Sequence, residues 1–129
     1  MAEPAGLLHT SVVLATDLPP LPGELAISAA TLAELHFGVL VTRIPAIRAE
    51  RLRRLAILER TFEPLPIDAG VARNYGLLAA AVVDSGRKPR SRVMDLLIAA
   101  TARAHGAKLY TRNAQDLRGL GDLLEIVEI

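Results

Sequence analysis

Residues 94–117 read MDLLIAATARAHGAKLYTRNAQDL. Met94–Ala104 holds no glycine or proline and is dominated by leucine, isoleucine and alanine, so it reads as a helix. Ser91 is placed to cap it, His105 falls in its last turn, and Gly106 stops it. Lys108–Thr111 then reads as a short strand, and Thr111–Asp116 as a polar turn. One acid, Asp95, opens the helix, and another, Asp116, follows the strand. A helix that runs straight into a strand is half of a crossover unit, which calls for a parallel partner strand.

The rest of the chain supplies partners. Leu7–Leu8 begins a first strand in GLLHTSVVLA, residues 6–15, after which Thr10 or Ser11 can cap a short helix through Val12–Ala15. TDLPPLPGE is a loop by its prolines and glycine. Leu25–Ser28 is a second strand, and Thr31 caps a helix from Leu32 to about Val41. Pro45 suits the first turn of a helix over Ala46–Thr61, with an apolar stripe and arginines opposite it. Pro64–Ile67 is a short third strand, confined by its prolines to an edge. Asp68 caps a helix over Ala69–Asp84, RKPRS is a basic loop, and Leu124–Ile129 is a fifth strand. The expected fold is α/β, a three-layer sandwich with a mostly parallel five-stranded sheet flanked by helices. Residues 1–129 are expected to form one domain.

Composition narrows the class. The chain has 129 residues, 51% hydrophobic and 22% charged, which suits a globular core and argues against disorder. The absence of cysteine excludes disulfides and thiolate metal sites. No apolar run is long enough to span a membrane, and MAEPAGLLHT lacks a basic leader, so a cytoplasmic protein is expected. Net charge is only +1, but the arginines are grouped: Arg43, Arg48, Arg51, Arg53, Arg54 and Arg60 in one segment, Arg87, Lys88, Arg90 and Arg92 in another. Such groups serve equally as solvated helix faces or as phosphate contacts. At 3% aromatic residues, an RNA-stacking platform of exposed rings is disfavoured. No glycine-rich phosphate loop follows a strand, which disfavours a nucleotide-binding domain.

In an open parallel sheet, ligands bind at the carboxyl ends of the strands, where strand order reverses. Glu34, Asp95 and Asp116 all follow strands or open helices there. Converging carboxylates suit a hard divalent cation such as Mg²⁺ or Mn²⁺, which activates water and stabilises charge on a phosphate. Each acid also has a plainer role open to it. Thr31-Leu-Ala-Glu34 is a capping box, Asp95 opposes a helix dipole, and Asp116 can simply make a turn.

ISAATLAELHFGVL together with MDLLIAATARAHGAKLYTRNAQDL resembles the PIN-domain ribonucleases of the VapC toxin type. GLLHTSVVLA resembles that family's first strand, and RKPRSRV and LLEIVEI also fit. The resemblance implies a small PIN-like sandwich that cleaves RNA of the tRNA or rRNA class with Mg²⁺ or Mn²⁺. It implies Glu34, Asp95 and Asp116 as metal-binding and catalytic acids, and Ser11, Thr111 and Asn113 as pocket residues. Arg87, Lys88, Arg90, Arg92 and Arg112 would contact the RNA backbone. A homodimer is implied, as is a cognate VapB-like antitoxin whose arginine enters the acidic pocket.

The departure is His9. Family members usually read LLDTS where this chain reads LLHTS, so a histidine takes the place of the first acidic metal ligand. A neutral imidazole removes one negative charge, worth up to about 4 kcal/mol per ion charge near 4 Å at an effective dielectric near 20. Mg²⁺ prefers oxygen donors, whereas Mn²⁺ and heavier ions accept imidazole more readily. His9 thus either ligates a softer metal, breaks the site and leaves a folded binding protein, or is a change that silences a toxic nuclease. Weakened catalysis is the expectation. His36 and His105 are expected to be hydrogen-bonded residues without chemistry.

Overall fold

The structure is a computed structural model and describes residues 3–129. Four parallel strands form the sheet: β1 (Gly6–Leu8), β2 (Leu25–Ala26), β3 (Lys108–Thr111) and β4 (Ile126–Glu128), in the order β2-β1-β3-β4. Leu7 pairs with Ala26 on one side and Leu109 on the other, and Tyr110 pairs with Val127. All three residues of β1 are buried, which explains why Gly-Leu-Leu shows no polar alternation. Gly6 permits close packing here, since a Cβ at that position would lie 2.5 Å from the Tyr110 ring.

The helices are α1 (Thr10–Val13), α2 (Ala29–Val41), α3 (Pro45–Thr61), α4 (Ala69–Asp84) and α5 (Val93–Ala104). Single 3₁₀ turns at Pro89–Arg92 and Ala114–Leu117 precede α5 and follow β3. Side chains alternate across the sheet and build two cores. Leu7 and Leu109 join Val71, Leu78, Leu96, Ile98 and Ala99 from α4 and α5. On the other side Leu8 and Tyr110 join Val12 and Ile27. Among the described residues no helix is long and apolar enough to cross a membrane.

Several elements differ from the expected ones. The sheet has four strands rather than five. Pro64–Ile67 contributes one bridge, Ser28 to Leu65, with two backbone bonds around Leu65. Leu65 bonds to Ile27 and Ala29, and α2 begins at Ala29, so the ladder stops there. β2 ends at Ala26, and β4 is confined to Ile126–Glu128. Ser28, not Thr31, caps α2, its hydroxyl accepting from the Ala30 amide at 3.0 Å. Ser91 lies inside the 3₁₀ turn and donates to the Lys88 carbonyl, so α5 starts at Val93 without a side-chain cap. Pro45 is itself the first residue of α3. Asp68 caps α4 as expected, accepting from the Val71 amide, and Gly106 ends the α5 turn at φ +64°.

The order β2-β1-β3-β4 means that the chain leaves β1 towards one edge and completes the other edge with β3 and β4. The switch point therefore lies between β1 and β3, and its crevice opens beyond Leu8 and Thr111.

Candidate functional site at the switch point

His9 is the first residue beyond β1. Its backbone N–H donates to the Tyr110 carbonyl at 2.9 Å, which locks it between the two central strands. It also caps α1, a role that Thr10 or Ser11 was expected to fill. Its Nδ1 accepts from the Ser11 amide at 3.1 Å, with the Ser11 hydroxyl 2.8 Å away. An accepting Nδ1 assigns the ring proton to Nε2. Nε2 then donates to Asp95 Oδ1 at 2.7 Å. His9 is 8% exposed, so this bond is largely shielded from water.

Asp95 stands in the first turn of α5, where a negative charge is favoured by the helix dipole. Its other oxygen, Oδ2, lies 3.8 Å from Arg92 Nη1, and Arg92 Nη2 lies 3.1 Å from Asp116 Oδ1. Asp116 Oδ2 accepts from Asn113 Nδ2 at 2.8 Å. One guanidinium thus spans two carboxylates that come from different elements. The loop after β3 is held from below: the Arg112 amide donates to Ser11 Oγ at 3.0 Å and the Asn113 amide to Thr111 Oγ1 at 3.0 Å. Glu128 on β4 accepts from the Ala114 amide at 2.9 Å. The Arg112 guanidinium pairs with Asp17, in the loop after α1.

Glu34 is elsewhere. The Thr10 hydroxyl donates to its Oε1 at 2.6 Å and lies 3.0 Å from the buried Thr31 hydroxyl. The capping-box role for Glu34 falls away, because Thr31 sits inside α2 rather than at its cap. Glu34 instead lines a cleft of about 530 Å³ between α1, α2 and α3, with Leu35, Val39, Arg51, Arg54 and Leu55 among its walls. Three α3 arginines are spent on carbonyls: Arg48 on Thr42, Arg51 on Gly38 and Arg54 on Leu14. His36 and His105 pair with exposed Glu59 and Glu3.

Of the residues singled out, the structure brings His9, Ser11, Asp95, Thr111, Arg112, Asn113 and Asp116 to one end of the sheet. Arg92 joins them by facing inward, not outward. Lys88 and Arg90 are exposed, and Arg87 donates to the Arg118 carbonyl at 2.8 Å. Thr10 and Arg92 were missed as organisers of the acids. The spacing Arg92-x-x-Asp95 was a usable signal, since residues three apart share a helical face. Among the described residues no group of three or more His, Asp or Glu is close enough to hold a metal ion. Asp95 and Asp116 face each other across a guanidinium, and Glu34 is turned to another neighbour. As arranged, these side chains do not fit a divalent cation.

The PIN domain family matches residues 9–121. The chain belongs to the PIN domain family. Within that family it is similar to Ribonuclease VapC5 of Mycobacterium tuberculosis, 38% identical over 115 residues, covering 84% of this chain and 83% of that protein. Ribonuclease VapC4 of the same organism is 37% identical over 106 residues, covering 82% and 78%. Among solved structures, VapBC-5 of Mycobacterium tuberculosis, a member of the VapBC family of toxin–antitoxin systems, superposes with a TM-score of 0.80. It is 34% identical and covers 96% of this chain and 98% of its own. This PIN domain is therefore of the VapC type, with a histidine at the end of its first strand.

Proposed function

We propose that this PIN domain is an endoribonuclease toxin of the VapC type whose cleavage needs Mg²⁺ or Mn²⁺ and is weakened by His9. The observation that carries the reading is the pair Asp95 and Asp116, drawn to one guanidinium at the switch point of the sheet. Two carboxylates this close to one crevice suit phosphodiester chemistry, in which negative charge must be met by cations. Glu34 is the third acid of the proposed set, and His9 occupies the position next to Asp95.

The substrate is RNA of the tRNA or rRNA class. Among the described residues Lys88, Arg90 and Arg87 make no ion pair with a carboxylate, and they attract the phosphate backbone whatever its sequence. Ser11, Thr111 and Asn113 orient the loop that carries Arg112 and Asp116. The partner is a cognate VapB-like antitoxin, by likeness to the VapBC complex, and the working unit is a homodimer of 129-residue single-domain chains.

A second reading has its own support. The His9–Asp95 bond, and the lack of a three-ligand group among the described residues, favour a PIN-fold protein that binds antitoxin or RNA and does little chemistry. Incubating purified protein with structured RNA and Mg²⁺ or Mn²⁺ separates the two. Cleavage that disappears in Asp95→Asn supports the nuclease. Cleavage that survives in Asp95→Asn contradicts the assignment, and no cleavage by the parent with no metal binding up to about millimolar concentration, the weak end of calcium-type sites, favours the binding protein.

A further inference from the structure

Arg92 belongs by sequence to a basic group, yet its side chain is the only described cation that contacts both Asp95 and Asp116. The remaining oxygens of the two acids are also occupied, Asp95 Oδ1 by His9 and Asp116 Oδ2 by Asn113. Each carboxylate oxygen of the pair thus faces a protein group, the contact of Asp95 Oδ2 with Arg92 being the longest at 3.8 Å. A divalent ion that uses these acids meets the positive charge of the guanidinium between them.

We propose that Arg92 is a tethered counter-cation that closes the Asp95–Asp116 centre, and that its departure sets whether a divalent cation enters. This rests on the reading of Asp95 and Asp116 as the acids of a nuclease centre. The tether favours the closed arrangement, because a cation held three residues from Asp95 never leaves the neighbourhood of the centre. The backbone of Arg92 is fixed in the 3₁₀ turn directly before α5, so the side chain alone must move. That side chain is 37% exposed, against 17% for Asp95, so it has a path outward to water. An RNA phosphate offers the guanidinium the same two-pronged geometry as a carboxylate. Substrate arriving at the crevice can therefore draw Arg92 off the acids. His9 does not replace Arg92 in this role, because it meets only Asp95.

The test is a Mn²⁺ titration of the full chain, followed by the paramagnetic resonance signal of free Mn²⁺, in the parent, Arg92→Gln, Arg92→Lys and Arg118→Gln. Arg118 is exposed, lies two residues from Asp116 and makes no ion pair among the described residues. Arg92→Gln is expected to bind Mn²⁺ about two- to fivefold tighter than the parent, the range that a partly exposed ion pair supplies. Arg92→Lys keeps the charge but loses the fork that spans two carboxylates, so its affinity falls between. It also serves as the readout if Arg92→Gln does not fold. Arg118→Gln should match the parent. The proposal is overturned if neither Arg92 variant gains affinity, or if Arg118→Gln gains as much. RNA cleavage by the same variants is a separate readout. Tight Mn²⁺ binding without cleavage keeps the counter-cation and removes the nuclease reading.

Discussion

Asp95 and Asp116 on one side, and Glu34 on the other, have found opposite surroundings. The aspartates share Arg92 and are topped by His9 and Asn113, so their charge is answered from within. Glu34 has one hydroxyl partner, Thr10, and borders an open, largely apolar cleft. All three follow strands or open helices at the same end of the sheet. Topology brings acids to one end of a sheet, but the nearest donor decides which of them converge. Buried charges take partners because leaving them unpaired is costly.

The largest effect should come from a residue beneath both regions. Leu109 is fully buried in β3 and pairs with β1 and β4. Leu109→Ala is expected to cost about 2–5 kcal/mol, measured by urea denaturation, with loss of both surroundings in one transition. A cost under about 1 kcal/mol would mean that the two acid regions do not depend on a common core. Next comes Asp95→Ala, which leaves the His9 Nε2–H without its acceptor, while Arg92 keeps Asp116. It should cost about 1–3 kcal/mol, and Glu34→Ala should cost less because Glu34 has one partner. Equal costs would erase the contrast between closed and open acids. Smallest is Thr10→Val, which keeps the shape and removes only the hydroxyl on Glu34. It should cost about 0.5–1.5 kcal/mol and leave the His9 imidazole resonances unmoved in NMR. A shifted His9 signal would show that the two regions are coupled.

Which parts were legible follows from which forces are local. Asp68 and the helix it caps were readable because the cap, the helix and its Ser85-Gly86 end lie within one segment. The switch-point location was readable from strands alternating with helices. The strand expected at Pro64–Ile67 reduced to one bridge, because the chain it pairs with turns into α2 at Ala29. Thr31 reads as the cap in sequence, and Ser28 as the end of a strand. Tertiary contacts chose between them: Ser28 meets the Thr101 hydroxyl at 3.1 Å in the core, and Thr31 is buried against Thr10. Arg92 was misjudged for the same reason. Its partner Asp116 is brought near by the fold, so a group of basic residues read as RNA contacts hides an inward-facing cation. The likeness to VapC ribonucleases singled out these acids, whereas their pairings came only from the packed side chains.

The bond from His9 to Asp95 stands at the centre of all this, because a histidine there both removes a charge and occupies an acid. The most direct measurement is RNA cleavage by His9→Asp and by the parent, side by side, in Mn²⁺ and in Mg²⁺. Restoring the carboxylate should raise cleavage at least about tenfold, ~1.4 kcal/mol in the barrier, with the larger gain in Mg²⁺ because that ion prefers oxygen donors. Equal cleavage by the two proteins in both metals would contradict a site weakened by His9.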